Sequence, residues 1–463
     1  MSVPFSAKDV ADWTGGTLLQ GSGDVQLTGA SIDSRAVAAG DLFVAIVGPN
    51  HDAHAYLATA AESGAAGFLV ARDREIPAVD LPVVAVDDTT AGLGRLAAEH
   101  RAHFDGPVVG ITGSNGKTTA KEMCAAILET GARTLRNRGN LNNHFGLPLT
   151  LLARGPEHRR IVVELGMNHR GEIAELAAIA RPQIGAVTNV GTAHIEYLGS
   201  REAIASEKGD LLASLPHDGV AVINADDPFA DALAQRTEAR IVRFGRGDTA
   251  DVRPADVCHE EGRFRFRLQT PAGETSLEVT GLDETTLVNA LCAAAAASAA
   301  GASLDEIAAG LAAYRPVSGR LERRNLPDRV VIIDDSYNAN PQSMEVALGV
   351  LARSGNGRRI AVLGDMGELG ESAESAHRDA GRLSAQLGID FLVAVGNHAH
   401  LVAEGARQAG FSAGQIHELP NSQAAGQTVR SLLEPGAWIL VKGSRSMRME
   451  RVTRYLEAEA EAR

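Results

Sequence analysis

One stretch restricts this chain more than any other: residues 107–119, PVVGITGSNGKTT, where a short apolar run leads through glycines into a helix pattern that opens on a lysine. A buried strand that breaks into glycines and restarts as a helix is a cradle for phosphate. The glycines let backbone N–H groups turn inward, and the helix N-terminus adds partial positive charge. Gly113, Ser114, Asn115 and Gly116 form the turn, Lys117 is placed to reach terminal phosphates, and Thr118 and Thr119 follow, the Thr118 hydroxyl being available to a magnesium ion. The spacing departs from the strict G-x4-G-K-[ST] loop, because Ile111 stands where the first glycine belongs. A plain glycine turn with a surface lysine is the competing reading; a nucleotide site is the favoured one.

The surrounding chain repeats the same grammar. Apolar runs at residues 42–47, 67–70 and 82–86 alternate with helical stretches at 56–62 and up to His100. After a break at Gly106-Pro107 come runs at 107–112, 160–165, 184–190 and 220–224. After a second break at Arg315-Pro316, with Gly319 close behind, come runs at 330–333, 359–363, 391–395 and 438–441. Alternating strand and helix predicts an α/β protein with doubly wound parallel sheets. At 463 residues the chain has room for about three domains of ~150. The predicted division is an N-terminal α/β domain over 1–105, a central phosphate-loop domain over 106–315 and a C-terminal Rossmann-like domain over 316–463. Period-two alternation at 263–268 and 275–279 predicts a small antiparallel addition, and the EAEAEAR end of the last helix reads as a solvated face.

Charge and cysteine content exclude several classes. With 58 acidic and 44 basic residues the net charge is −14, which argues against nucleic acid as a partner while leaving room for a local cationic pocket. Cys124, Cys258 and Cys292 are far apart and odd in number, so neither a disulfide framework nor a metal knuckle is expected. Residues 1–20 lack a signal-peptide pattern, and the Ala-rich stretch 290–313 is too weakly hydrophobic and too interrupted to span a bilayer. The reading is a soluble protein of a reducing cytoplasm, without membrane insertion. No heptad pattern appears, and a monomer is favoured.

In open α/β sheets ligands collect beyond the carboxyl ends of the strands. Thr118, Glu164 and His194 all fall at such ends, and a hard carboxylate with an imidazole could join the threonine around magnesium. Glu164 could equally cap a helix, and His194 could be a hydrogen-bonded spacer. Lys208 lies in a predicted helix over 201–212, where spacing alone makes it a surface ion-pair residue.

Six stretches then carry a family resemblance: GITGSNGKTT, RNRGNLNNHFGLPLTLL (136–152), ELGMNHRGEI (164–173), TNVGTAHIEYLGS (188–200), DDSYNANPQSM (334–344) and VLGDMGELG (362–370). Together they resemble the Mur ligases, over about residues 31–451, and DSYNANP resembles most the member that adds D-alanyl-D-alanine. The resemblance implies a UDP-substrate domain, a central ATPase domain and a Rossmann-like third domain. It also implies ATP-dependent amide formation, through an acyl phosphate, between UDP-N-acetylmuramoyl-tripeptide and D-alanyl-D-alanine in peptidoglycan precursor synthesis. Another amino-acid-adding member and a non-catalytic nucleotide-binding scaffold are the alternatives.

By that resemblance Lys117 and Thr118 are the phosphate and magnesium residues, Glu164 and His194 metal ligands, and Lys208 a lysine carried as a carbamate. Lys117, His194 and Lys208 are then the catalytic set. Asn142 and Asn143 line the acyl-phosphate region. Asn289, Arg320 and Asp335 contact the nucleotide. Tyr337, Asn338 and Asn340 lie near the incoming dipeptide, with Lys442 and Arg445 on an anionic group of a substrate. Ser31, Asp33, Ser34 and Arg35 face the UDP-sugar. The third domain is expected to close about a hinge between residues 314 and 320. Two stretches depart from the family pattern: Asp283-Glu284-Thr285-Thr286 replaces a His-Asn pair on the adenine side, and His51-Asp52-Ala53-His54 replaces Asp-Gly-His in the first domain.

Overall fold

The computed structural model describes residues 2–76 and 79–461. Three sheets follow one another along the chain. In the first, Gly29–Ser31, Asp41–Val44, Gly67–Ala71 and Val83–Val86 run parallel, and Thr17–Gln20 joins the last of them antiparallel. Gly67–Ala71 and Val83–Val86 are buried at every position, as strands covered on both faces must be. The strand expected over 42–47 ends at Val44. Beyond it Val47–Gly48 pairs with His51–Asp52, and the expected helix 56–62 is a 3-10 turn, Ala53–Tyr56, running into Leu57–Glu62. Asp52 accepts the His54 backbone N–H at 3.0 Å and lies 2.6 Å from His54 Nδ1. Because His54 Nε2 accepts the Ala71 N–H, Nδ1 is the ring nitrogen that carries the proton.

The central sheet has six parallel strands in the order Thr134–Arg136, Arg160–Glu164, Val108–Thr112, Ile184–Val187, Val220–Asn224, Arg240–Phe244. Its two outer strands do not form apolar runs in the sequence, because Thr134–Arg136 has one apolar residue in three and Arg240–Phe244 is interrupted by arginines. The strand that enters the glycine loop lies between the strands that end in Glu164 and in Val187. The chain therefore reverses its winding direction beside the loop, where an α/β sheet opens a crevice. The antiparallel addition has three strands, Arg253–Glu260, Arg263–Thr270 and Gly273–Thr280. The first escaped notice because it is mostly exposed and shifts register between Ala255 and Cys258.

The helix that leaves the loop, Lys117–Gly131, is clamped by two small-residue helices, Glu284–Ala299 and Leu304–Ala313. The first buries its alanines 290 and 293–297 almost completely. At Gly310 the backbones approach so closely that a Cβ would come within 2.3 Å of Ile127 Cα. Among the described residues no helix is long and apolar enough to cross a membrane.

The third sheet runs Glu322–Asn325, Val331–Asp335, Trp438–Lys442, Arg359–Gly364, Phe391–Val395, Ile416–Leu419, parallel except for its first strand. Apolar clusters cover both of its faces. The terminal helix Glu450–Glu461 is not merely solvated: Glu457 pairs with Arg324 at 2.9 Å and Glu459 lies 3.7 Å from Arg430. Residues 462 and 463 of that stretch lie outside the described residues. Between the second and third sheets the chain leaves its helix at Tyr314 (ψ 140°), then passes Pro316, Gly319 (φ +73°) and Leu321 (φ +50°).

Candidate active site at the junction of two sheets

Two loop glycines are required by their surroundings. Gly113 has φ +150° and a Cβ there would lie 1.8 Å from Thr188 Oγ1; Gly116 has φ +81° and a Cβ there would lie 2.2 Å from Asn289 Oδ1. The loop is tied to the next strand's end, with Asn115 N–H donating to Asn189 Oδ1 at 3.0 Å and Thr188 Oγ1 donating to Asn115 O at 2.6 Å. Gly116 caps the following helix without a side-chain acceptor, so the first-turn amides remain for a ligand. Lys117 Nζ donates to Gly113 O at 2.7 Å. Burial lowers its pKa; Glu164 opposes that shift and Arg320 adds to it.

Glu164, 1 % exposed, ends its strand with both carboxylate oxygens facing neutral donors: Thr118 Oγ1 at 2.8 Å and Asn142 Nδ2 at 2.7 Å. It caps no helix. Asn137, which the sequence reading missed, fixes the strand end from behind by accepting the Glu164 N–H at 3.0 Å. The buried Lys121, also missed, donates to Asn137 O at 2.6 Å. A buried carboxylate among neutral donors calls for a cation, and a carboxylate with a hydroxyl is the donor set magnesium takes. These residues fit the ion.

Lys208 is not on the surface. It is 1 % exposed on the helix Arg201–Ala213, and its Nζ lies 3.9 Å from Met167 Sδ. Burial pushes its pKa well below the ordinary lysine value; Lys117 pushes the same way and Glu207 opposes. Loss of its proton is thereby eased, and a lysine in its free-amine form is nucleophilic. His194 sits in the left-handed region (φ +64°) with Nδ1 2.6 Å from Glu368 Oε2, in an alignment too poor for a full hydrogen bond. Contact with His194 holds the Glu368 carboxyl below its usual range, against the opposing effect of burial. Glu368 comes from the third sheet and was also missed; it lies within VLGDMGELG but carried no expected role.

A cleft of 1580 Å³ runs between the second and third sheets. It is lined by Ser114–Thr119, Asn142, Asn143, Glu164, His194, Asn289, Arg320, Asp335, Tyr337, Asn338, Asn340 and Lys442. Gly113 and the buried Lys208 stand behind the wall, and Arg445 lines a smaller cavity next to it. Asn340 Nδ2 donates to Asn115 Oδ1 at 2.8 Å, joining the third sheet's helix cap directly to the phosphate loop. Arg320 lies over the Tyr337 ring at 4.1 Å. Lys442, 1 % exposed, pairs with Asp335 and donates to Asn338 O at 3.0 Å. Asn143 Oδ1 accepts the Gly146 N–H at 2.9 Å. Arg445 is exposed, 3.3 Å from Glu450. Ser31, Asp33, Ser34 and Arg35 are away from the cleft in the first sheet's loop, where the Arg35 guanidinium grips Asp33 and holds its carboxyl down at about 2.

On the side where the sequence departs from the family pattern, Asp283 caps its helix through the Thr285 N–H and pairs with Arg353 of the third sheet's first helix at 3.0 Å. Thr286, Asn289 and Leu282 line the cleft there, beside His259 stacked flat on Phe264 at 3.9 Å. A cluster of Asp365, His377 and His398 is close enough to hold a metal. Both His377 nitrogens are nevertheless occupied, by the Ala373 carbonyl at 2.6 Å and the Met366 N–H at 2.9 Å. The cluster braces the loop that carries Glu368.

Known proteins resemble the chain along its whole length. Residues 26–101, 111–297 and 319–445 match the models described as the Mur ligase family catalytic domain, the Mur ligase middle domain and the Mur ligase glutamate ligase domain. The UDP-N-acetylmuramoyl-tripeptide–D-alanyl-D-alanine ligase of Escherichia coli is 38 % identical, over 95 % of each chain; that of Bacillus subtilis is 33 % identical, over 97 % of this chain and 98 % of its own. A crystal structure of MurF from Acinetobacter baumannii superposes with a TM-score of 0.90 at 34 % identity, over 99 % of each chain. MurF of Thermotoga maritima in complex with ADP gives 0.81 at 28 %, over 94 % of this chain and 98 % of that one.

Proposed function

Because the chain belongs to the Mur ligase family, we propose that it is the cytoplasmic ATP-dependent ligase that joins D-alanyl-D-alanine to the terminal carboxylate of UDP-N-acetylmuramoyl-tripeptide in peptidoglycan precursor synthesis. The observation that carries the reading is the buried Glu164–Thr118 pair opening onto a glycine cradle led by Lys117. In this scheme the tripeptide carboxylate attacks the γ-phosphate of ATP, giving an acyl phosphate and ADP. The dipeptide amine then displaces phosphate to form the amide. Two anions must meet in the first step, so the residues that matter are those that offset charge. Lys117 and the free amides of its helix hold the phosphates, Arg320 approaches them from the third domain, and Asn142 and Asn143 line the acyl-phosphate region. Thr118, Glu164, His194 and Lys208 as its carbamate would hold magnesium, which when bound neutralises charge on the phosphoryl oxygens. Lys208, whose burial favours the free amine, would add CO2 and release a proton, becoming an anion in a site that repels a second cation.

The units 1–105, 106–315 and 316–463 then divide the work as UDP-sugar domain, ATPase domain and acceptor domain. Ser31, Asp33, Ser34 and Arg35 face the sugar nucleotide, and Asn289 and Asp335 face the nucleoside of ATP. The chain acts as a monomer. A phosphate-release assay with UDP-N-acetylmuramoyl-tripeptides bearing either diaminopimelate or lysine, with and without D-alanyl-D-alanine, tests this. Release that requires ATP, one tripeptide and the dipeptide together is expected. Release with a single amino acid in place of the dipeptide would assign a different member of the family, and nucleotide binding without release would leave only a scaffold.

A further inference from the structure

The Glu164 carboxylate is held from two sides, and the two sides are not equivalent. Thr118 Oγ1 donates to Oε2 at 2.8 Å. That hydroxyl also carries lone pairs, so a cation can take Oε2 and the threonine oxygen together. Asn142 Nδ2 donates to Oε1 at 2.7 Å. An amide N–H has no lone pair to offer a cation, and a hydrogen bond to a charged oxygen is a strong one. The bond fixes how the carboxylate is turned and keeps Oε1 on the protein.

Asn142 has little freedom to let go. Its backbone carbonyl accepts the Gly166 N–H at 2.8 Å. A Cβ at Gly166 would lie 2.7 Å from the Asn142 amide group, so that amide lies directly against the Gly166 backbone. The preceding residue is tied down by the wholly buried Asn137. Asn137 Nδ2 donates to Leu141 O at 2.9 Å and to Glu164 O at 3.2 Å, while its Oδ1 accepts the Glu164 N–H at 3.0 Å. One side chain therefore staples the loop that carries Asn142 to the strand end that carries Glu164. Lys121, also wholly buried, fixes the other end of that loop by donating to Asn137 O at 2.6 Å and to Gly139 O at 3.4 Å.

We propose that Asn142, set in place by the positioning residue Asn137, restricts Glu164 to a single oxygen for the bound cation and so selects magnesium over calcium. Magnesium demands a small, near-octahedral shell, whereas calcium takes more oxygens at longer range and readily accepts both from one carboxylate. A carboxylate that cannot turn suits the first ion and starves the second. The inference rests on the reading that magnesium binds at Thr118 and Glu164, and it gives the loop behind them a part in choosing the ion.

Affinity for a non-hydrolysable ATP analogue, measured by calorimetry in EDTA, in saturating Mg2+ and in saturating Ca2+, tests this without turnover. The wild type should bind more tightly with magnesium than in EDTA, and should favour magnesium over calcium. Asn142→Ala frees Oε1, and the magnesium preference should shrink by about tenfold, the worth of one charge-assisted hydrogen bond. Asn137→Ala loosens Asn142 without removing it and should shrink the preference by a smaller factor. Both variants should match the wild type in EDTA, because the glycine cradle is untouched. A wild type indifferent between the two ions overturns the assignment, and so does an unchanged preference in either variant. Weakened binding in EDTA overturns it too, since these side chains would then hold the cradle and not the choice of ion. A wild type that binds alike in EDTA and in magnesium would remove the magnesium site itself, a failure of the proposed function that the EDTA measurement shows separately.

Discussion

Lys208 and Lys442 are each 1 % exposed; Lys208 stands behind the cleft wall in the central unit, and Lys442 ends a strand at the cleft in the third. Lys442 is fully partnered, by the Asp335 carboxylate and the Asn338 carbonyl. Lys208 meets a thioether and the repulsion of Lys117. Two histidines repeat the contrast. His377, in the third unit, has a partner on each nitrogen, whereas His194, in the central unit, has Nδ1 against a misaligned carboxylate. At these positions the third unit's polar groups hold one another in place. Lys208 and His194 of the central unit lack such partners, which is the condition of groups awaiting ligands.

The contrast is sharpest for the two lysines. Lys208→Ala should reduce turnover to on the order of a thousandth of wild type or less, comparable with deleting a group that offsets charge in the transition state. The variant should remain folded, losing the packing of a buried side chain but no ion pair. Acetate filling the vacated space should restore part of the activity, and wild-type activity should depend on dissolved CO2. Full activity in Lys208→Ala would return the residue to an inert core position.

Lys442→Met should behave in the opposite way. It strips the partner from a largely buried Asp335, and breaking such a pair costs about 3–5 kcal/mol. Denaturant unfolding should register that loss. An unchanged midpoint would mean that Lys442 is as unpartnered as Lys208 and would erase the comparison.

The smallest effect concerns the histidines. Burial lowers the pKa of His377; the Ala373 carbonyl opposes this, and His398 adds to it. The folded protein therefore keeps His377 neutral where an unfolded histidine, near 6.5, is already protonated. Unfolding then takes up a proton, so stability should decline as pH falls through 6.5 and level off below the folded value. His377→Gln should be less stable throughout and show a shallower decline between about pH 7 and 5.5. An equal slope in both proteins would show that the ring is not held neutral.

How much of this could be read from the sequence follows from what leaves a local trace. Val108–Thr112 and Ile184–Val187 are continuous apolar runs because both faces of their sheet are covered, and that pattern is local. Arg240–Phe244 and Arg253–Glu260 are half exposed, and their pairing is decided by distant partners, so no window of sequence reveals them. The same holds within the site. The cradle is visible because its glycines and lysine are contiguous. The burial of Lys208 and the approach of Glu368 to His194 exist only after separate elements pack, 174 positions apart in the second case. Resemblance supplied a role for Lys208, but only packing explains why its charged form is disfavoured.

The clamp on the phosphate-loop helix sets where this enzyme can tolerate mutation. Gly310 lies far along the chain from Lys117 and touches no ligand, yet a single methyl group there would meet the Ile127 backbone at 2.3 Å, where nothing can rotate away. Only the whole helix can yield, and Lys117 and Thr118 ride on its first turn. The heritable variation open to the nucleotide site is thus limited by a contact between two backbones on the side of the helix remote from the chemistry.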